Sequence, residues 1–215
     1  DELVRTALES VERGMRGVEI KVGRPTAAED AERLRAVRDA VGSRMDIMVD
    51  ANQSFDLAEA QRRASHYGDI GISWFEEPMP AELVPAHAQL QRLIDTPVAV
   101  GESMYSVGQF GEYALQRACG VVQVDVARIG GITPWLKVAA LAEATGLAVC
   151  PHFLMELHIS LAGATPNLRY VEHIPQLRGV MREALRLEDG VLRASDAPGI
   201  GIDWDYDQLD NLRIA

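Results

Sequence analysis

The sequence predicts an α/β barrel, and three observations carry that expectation. Short apolar runs alternate with amphipathic stretches, and seven such runs fall within about 170 residues, too regular a spacing for an ordinary open sheet. Nearly every run also stops on an acid or a base. With 215 residues, 47% of them hydrophobic and 25% charged, the chain is long enough for one sizeable core.

The elements follow in order. A first amphipathic stretch, Glu2–Met15, is expected to be helical and has no strand before it. The apolar runs, each expected to be a strand of one parallel sheet, are Val18–Val22, Asp46–Val49, Ile72–Phe75, Val98–Val100, Val121–Val124, Leu147–Cys150 and Arg169–Val171. Helical spacing marks Ala27–Val41, Leu57–His66, Ala81–Leu93, Val107–Arg117, Pro134–Thr145 and Leu157–Ala164. Thr26 with Glu29 three residues on reads as a capping box, and Gly146 ends a helix before Leu147. An eight-stranded closure needs one strand more than these. Either the first strand lies upstream of Asp1 or the barrel closes unusually, and the start without a methionine suits a piece of a longer protein. Residues 1–186 are expected to form the barrel. The tail 187–215, turn-rich at Pro198-Gly199-Ile200-Gly201, reads as short strands and loops appended to it.

Charge and cysteine usage narrow the partners. The net charge is −11 and the pI about 4.9. No Lys/Arg cluster appears, so neither nucleic acid nor an anionic membrane is an expected partner. There is no apolar run of about 18 residues and no basic, apolar start, so neither a membrane span nor a signal peptide is expected. Cys119 and Cys150 form no metal motif or disulfide ladder, which suits a reduced, cytoplasmic setting.

The informative residues are those that end the strands. Counting an upstream strand as the first, the second reads VEIKVG with Lys21, and the third MDIMVDAN with Asp50 and Asn52. The fourth is WFEEP with Glu76, and the fifth VAVGES with Glu102. The sixth is VVQVDVARIGG with Asp125 and Arg128, the seventh AVCPHF with His152, and the eighth RYVEH with Glu172. In a parallel barrel all these ends lie at one face, where active sites of such barrels form. Glu76 follows Asp50 by 26 positions and Glu102 follows Glu76 by 26. Three carboxylates on consecutive strands, with oxygen ligands only, suit a hard divalent cation that retains waters, Mg²⁺ first. Glu77 is not needed for that set and is expected to bond locally or to back the site. Lys21 and His152 stand on opposite sides of the ring. Two bases flanking a metal can take a proton from one face of a carboxylate substrate and return a proton, or expel a leaving group, on the other. Asp125, on the strand next to His152, would orient the imidazole and raise its basicity. His66, His87, Met104 and Trp135 read as surface or core residues, and His158 either packs under the loop or belongs to the site.

Taken together, VEIKVG, DAN, EEP, GES, DVARIGG, PHF and YVEH resemble the enolase superfamily, specifically its mandelate racemase subgroup, over nearly the whole chain. That resemblance implies a TIM-type (β/α)7β barrel, with Asp50, Glu76 and Glu102 as ligands of one Mg²⁺. It implies Lys21, the second lysine of a K-x-K motif, and the His152–Asp125 dyad as the two acid/base groups. Glu172 would hydrogen-bond the substrate carboxylate, and Asn52 and Arg128 would line the metal and the dyad. Homo-oligomers, and an N-terminal α+β capping domain completed by C-terminal residues, also follow from the resemblance. This chain departs from it in lacking that cap and the first strand. It departs again at Glu19, which stands where the first lysine belongs; beside the substrate-binding region, an acid there tends to hold Lys21 protonated and favours His152 as the base. The stretch PHFLMELHISLAGATPNLRYVEHIPQL resembles sugar-acid dehydratases of the talarate/galactarate type. The resemblance therefore implies dehydration of an aldonate or aldarate to a 2-keto-3-deoxy acid. The alternatives are a racemase or epimerase of a 2-hydroxy acid, or a non-catalytic metal-binding relative.

Overall fold

The computed structural model describes residues 2–214. Helix α1 (Glu2–Glu12) leads into strand β1 (Gly17–Lys21), and five more strands follow: β2 (Asp46–Asp50), β3 (Trp74–Glu76), β4 (Val98–Val100), β5 (Val121–Val122) and β6 (Ala148–Val149). Each strand is followed by a helix, in order α2 (Ala27–Val41), α3 (Leu57–Tyr67), α4 (Val84–Leu93), α5 (Val107–Gln116), α6 (Ile132–Thr145) and α7 (Met155–Gly163). The six strands pair in chain order and are all parallel. They correspond to the second through seventh strands expected from the sequence.

Alternation along each strand sorts the apolar residues into two layers. Ile47, Val49, Phe75, Val98, Val100 and Val149 point outward and pack with Leu34 and Val37 of α2 and their counterparts into the larger core. Met48, Trp74, Ala99, Val121 and Cys150 point inward into a second cluster, joined by Tyr170. Each fully buried aliphatic side chain of this kind contributes about 1.5–3 kcal/mol. Trp74 and Tyr170 meet inside with ring centroids 5.9 Å apart, so the sheet curls as a barrel does.

The structure departs from the expected elements at three places. Helix α1 stops at Glu12 rather than Met15, because Gly14 takes a left-handed conformation (φ +75) and the Met15 N–H turns back to Ser10. The eighth expected strand, Arg169–Val171, is not a strand. A single bridge, Val149 to Leu168, made by the Val149 N–H donating to Asn167 and the Arg169 N–H donating to Val149, is its ladder. Its side chains reach across instead, the Tyr170 hydroxyl donating to Asp46 and Arg169 lying 3.9 Å from the same carboxylate. A cavity of about 720 Å³ lies between β1 and this segment, lined among others by Glu19, Trp74, Gln123 and Tyr170. In the tail, an antiparallel hairpin of β7 (Arg186–Glu188) and β8 (Val191–Arg193) appears as expected, but a short helix α8 (Tyr206–Asn211), capped by Asp205, was not legible as such. Among the described residues no helix is long and apolar enough to cross a membrane.

Candidate metal and catalytic site

The site is the next inward layer above the inner cluster. Two residues beyond Met48 comes Asp50, beyond Trp74 Glu76, beyond Val121 Gln123, beyond Cys150 His152 and beyond Tyr170 Glu172. The period of two that points the apolar residues inward points these polar ones inward as well. Register aligns the row: Lys21 lies opposite Asp50, and Asp50 opposite Glu76.

Electrostatics differ along the row. Asp50 is fully buried and pairs with the Lys21 ammonium, while its Oδ1 accepts the Asn52 N–H at 2.7 Å. Burial holds the Asp50 pKa above the ordinary carboxylate value despite these partners. Burial also depresses the Lys21 amine, but the Asp50 hydrogen bond and the charges of Asp50, Glu19 and Glu76 outweigh it, and its pKa lies above the ordinary value. Glu102 accepts from His152 Nε2 at 2.7 Å, which pulls its pKa down. Asn52 reaches a Glu102 carboxylate oxygen at 3.4 Å, and Arg128 donates to the Glu102 carbonyl at 2.6 Å. Glu76, between them, is 2% exposed and is not directly ion-paired with Lys21 or His152, which bond to Asp50 and Glu102. Burial, then neighbouring Glu19 and Asp50, push its pKa well up. Burial likewise pushes the Glu77 carboxyl up to about 7.

Among the described residues no three His, Cys, Asp or Glu side chains are gathered closely enough to hold one ion. Asp50 and Glu102 turn to Lys21 and His152 instead. The donor set nonetheless fits a hard divalent cation: three carboxylates on neighbouring strand ends, oxygen only, with the carboxyls of Glu76 and Glu19 crowded together.

His152 is gripped on both ring nitrogens, Nδ1 by Asp125 Oδ2 at 2.8 Å and Nε2 by Glu102. Burial lowers its pKa, but the Asp125 and Glu102 bonds more than reverse this and carry it to about 9. Asp125 is itself held by the Ala127 and Arg128 amides, at 2.7 and 3.1 Å. His158, fully buried, ties the two loops together: its Nε2 accepts the Val126 N–H at 2.9 Å and its Nδ1 donates to the Phe153 carbonyl at 3.0 Å. It therefore packs beneath the dyad. Glu172 accepts the Phe153 N–H at 2.6 Å, and burial raises its pKa. Glu19 faces inward beside Glu76, with one carboxylate oxygen buried and unpartnered. Nine of the ten predicted site residues thus lie at one end of the sheet, and Glu19, opposite Met48, lies one layer below them. His66 is exposed, while His87, Met104 and Trp135 are core.

Backbone strain gathers here too. Asn52, Gln53, Glu77, Phe153 and Leu154 all have positive φ without being glycine, and each lies in a loop leaving a strand that carries a site residue. Sequence reasoning missed Gln123. Its signal was the same period of two, Val121-Gln123-Asp125, which sends all three inward.

Comparison with known proteins gives the family of the fold. A family profile described as "Enolase C-terminal domain-like" matches residues 2–208. L-talarate/galactarate dehydratase of Salmonella typhimurium is 40% identical over 201 residues, covering 94% of this chain and 50% of that enzyme. The crystal structure of L-talarate dehydratase from Polaromonas sp. JS666, complexed with Mg and L-glucarate, superposes with a TM-score of 0.94 at 39% identity, over 100% of this chain and 60% of that one. A racemase from Streptomyces coelicolor with bound magnesium superposes with a TM-score of 0.94 at 30% identity, over 99% of this chain and 59% of that one. The chain spans about half the length of the curated relatives it matches.

Proposed function

The chain belongs to the enolase C-terminal domain-like family, and on that basis we propose that it carries the metal site and both bases of a Mg²⁺-dependent enzyme that dehydrates a sugar acid to a 2-keto-3-deoxy acid. The observation that carries the reading is that Lys21 and His152 stand at the two ends of the carboxylate row, one on Asp50 and the other on Glu102. Asp50, Glu76 and Glu102 are the ligands. When bound, Mg²⁺ holds the substrate carboxylate and offsets the charge that develops on it as the α-proton leaves.

The remaining steps belong to the chain's own residues. Asp125 holds the Nδ1–H of His152, so that, with the Nε2 proton released to solvent, Nε2 would carry the lone pair that takes the α-proton. Lys21, kept protonated by Asp50, Glu19 and Glu76, gives its proton to the departing β-hydroxyl, and the enol left behind tautomerises to the keto acid. Water is the only other product. Glu172 donates to the substrate carboxylate when protonated, a form that burial favours. Asn52 and Arg128 brace Glu102. Glu19 would meet a substrate hydroxyl with its unpartnered oxygen.

We read residues 1–186 as the barrel unit and 187–215 as a segment that helps complete a capping domain, in a homo-oligomer. Two buried, free thiols support a reduced, cytoplasmic setting. The test is a library of acid sugars assayed for 2-keto product with Mg²⁺, alongside α-proton exchange in D₂O. Keto product supports dehydration. Exchange with inversion and no keto product supports the racemase reading, to which the similarity to a racemase lends weight. Neither signal with any acid sugar would leave a metal-binding relative without turnover.

A further inference from the structure

The three carboxylates of the row are held by different kinds of partner. Asp50 and Glu102 are met by the two candidate bases. Glu76 is met by neutral donors, and both go to the same atom: Trp74 Nε1 reaches Oε2 at 3.2 Å and Gln123 Nε2 donates to Oε2 as well. Trp74, Glu76 and Gln123 are all at least nine-tenths buried. Gln123 can stand there because Gly101 has no side chain. A Cβ on Gly101 (φ +155) would lie 2.6 Å from the Gln123 carbonyl carbon, so β4 and β5 could not carry Gln123 past Val100 to the Glu76 carboxylate.

A carboxylate pinned at one oxygen by two rigid donors has one oxygen left to offer. We propose that Trp74 and Gln123 form a neutral clamp that fixes Oε2 of Glu76 and presents Oε1 as a single-oxygen ligand to the cation. Neutral donors suit the task, because they orient the carboxylate without offsetting the charge a cation must meet, as Lys21 and His152 do at the flanking ligands. Gln123 is held the right way round by the same contact. Its Nε2 faces the carboxylate while its Oε1 is buried without a partner, an arrangement the amide would not adopt unless Glu76 required the donor. The clamp rests on the reading of Glu76 as a Mg²⁺ ligand; both residues act through Glu76 as positioning residues.

The experiment titrates Mg²⁺ alone into the parent chain, Gln123→Met, Trp74→Phe and the double variant by calorimetry, with thermal unfolding in the absence of metal as the check on folding. Gln123→Met is expected to weaken Mg²⁺ binding on the order of 10- to 100-fold. Trp74→Phe, which keeps a ring against Tyr170, is expected to weaken it less. Because both donors hold one oxygen, the double variant should lose less than the product of the two single losses. A Gln123→Met chain that unfolds cooperatively like the parent and binds Mg²⁺ within twofold of it overturns the clamp. If that variant does not fold, Trp74→Phe decides by the same twofold criterion. A folded parent that binds no Mg²⁺ removes the metal reading itself and the clamp with it, a result distinct from a parent that binds and variants that bind equally.

Discussion

Asp30 and Glu76 are both buried carboxylates, 0% and 2% exposed, and both lie close behind a strand end, yet their surroundings are opposite. Asp30, in the first turn of α2, is met by two guanidiniums, Arg63 at 2.5 Å and Arg33 at 2.9 Å. The Gly23 and Arg24 amides and the Tyr67 hydroxyl complete its coordination. Arg63 is in turn shared with Glu59 and lies over the Phe55 ring. Glu76 is bonded by an indole and an amide, has two further acids beside it, and makes no direct ion pair with the nearby Lys21 ammonium, which is bonded to Asp50. One carboxylate is finished within the fold and the other is left in deficit. A buried acid by itself carries little information; the sign of the charge balance around it separates a structural acid from a functional one.

That contrast can be broken experimentally, most severely at the bases. His152→Ala and Lys21→Ala are each expected to lower turnover of an acid-sugar substrate on the order of 10²- to 10⁴-fold in chains that still unfold cooperatively. Steady-state kinetics beside a denaturation curve checks both halves, and intact turnover in both variants would sink the two-base assignment. At the structural acid the pattern should invert. Arg63→Ala strands Asp30 without its buried partner and is expected to lower unfolding free energy by about 3–5 kcal/mol, measured by urea titration, with the Mg²⁺ affinity of the folded fraction unchanged. Glu76→Gln sharpens the comparison from the other side. Without metal its stability should match or exceed the parent's, because a buried carboxyl crowded by Glu19 and Asp50 is replaced by a neutral amide. The gain of about 2.7 kcal/mol that Mg²⁺ confers on the parent at a hundred times its Kd should be missing. The smallest effect belongs to the helix that carries Asp30. Thr26 and Glu29 form a capping box at its start, and Thr26→Ala should lower stability by about 1 kcal/mol without touching metal binding.

Much of this was legible in the sequence because the barrel is periodic in one dimension. The inward residue that ends a strand can be read from the inward residue two places before it, so Asp50, Glu76, His152 and Glu172 could be named without coordinates. Gln123 obeys the same rule, but a glutamine carries no charge to draw notice, and its role depends on a carboxylate 47 positions away. Which buried acids are neutralised was not legible either, since the Asp30–Arg63 bond joins positions 33 apart across two helices. The eighth strand failed for a related reason. Arg169–Val171 has the composition of a strand, but pairing is a property of two segments, and its side chains are engaged by Asp46 at the foot of β2. The helix α8 is only six residues long, too short for its periodicity to stand out.

His158 has a consequence for how the catalytic end breathes. Its ring accepts from the loop that carries Asp125, in a buried bond, and donates to the loop that carries His152, in a partly buried one. Neither loop can lift away alone without stranding a buried nitrogen of the His158 ring, so the two open together or stay shut. In hydrogen-exchange terms, the Val126 amide, although outside any helix or strand, should exchange on the timescale of the core and not of a surface loop.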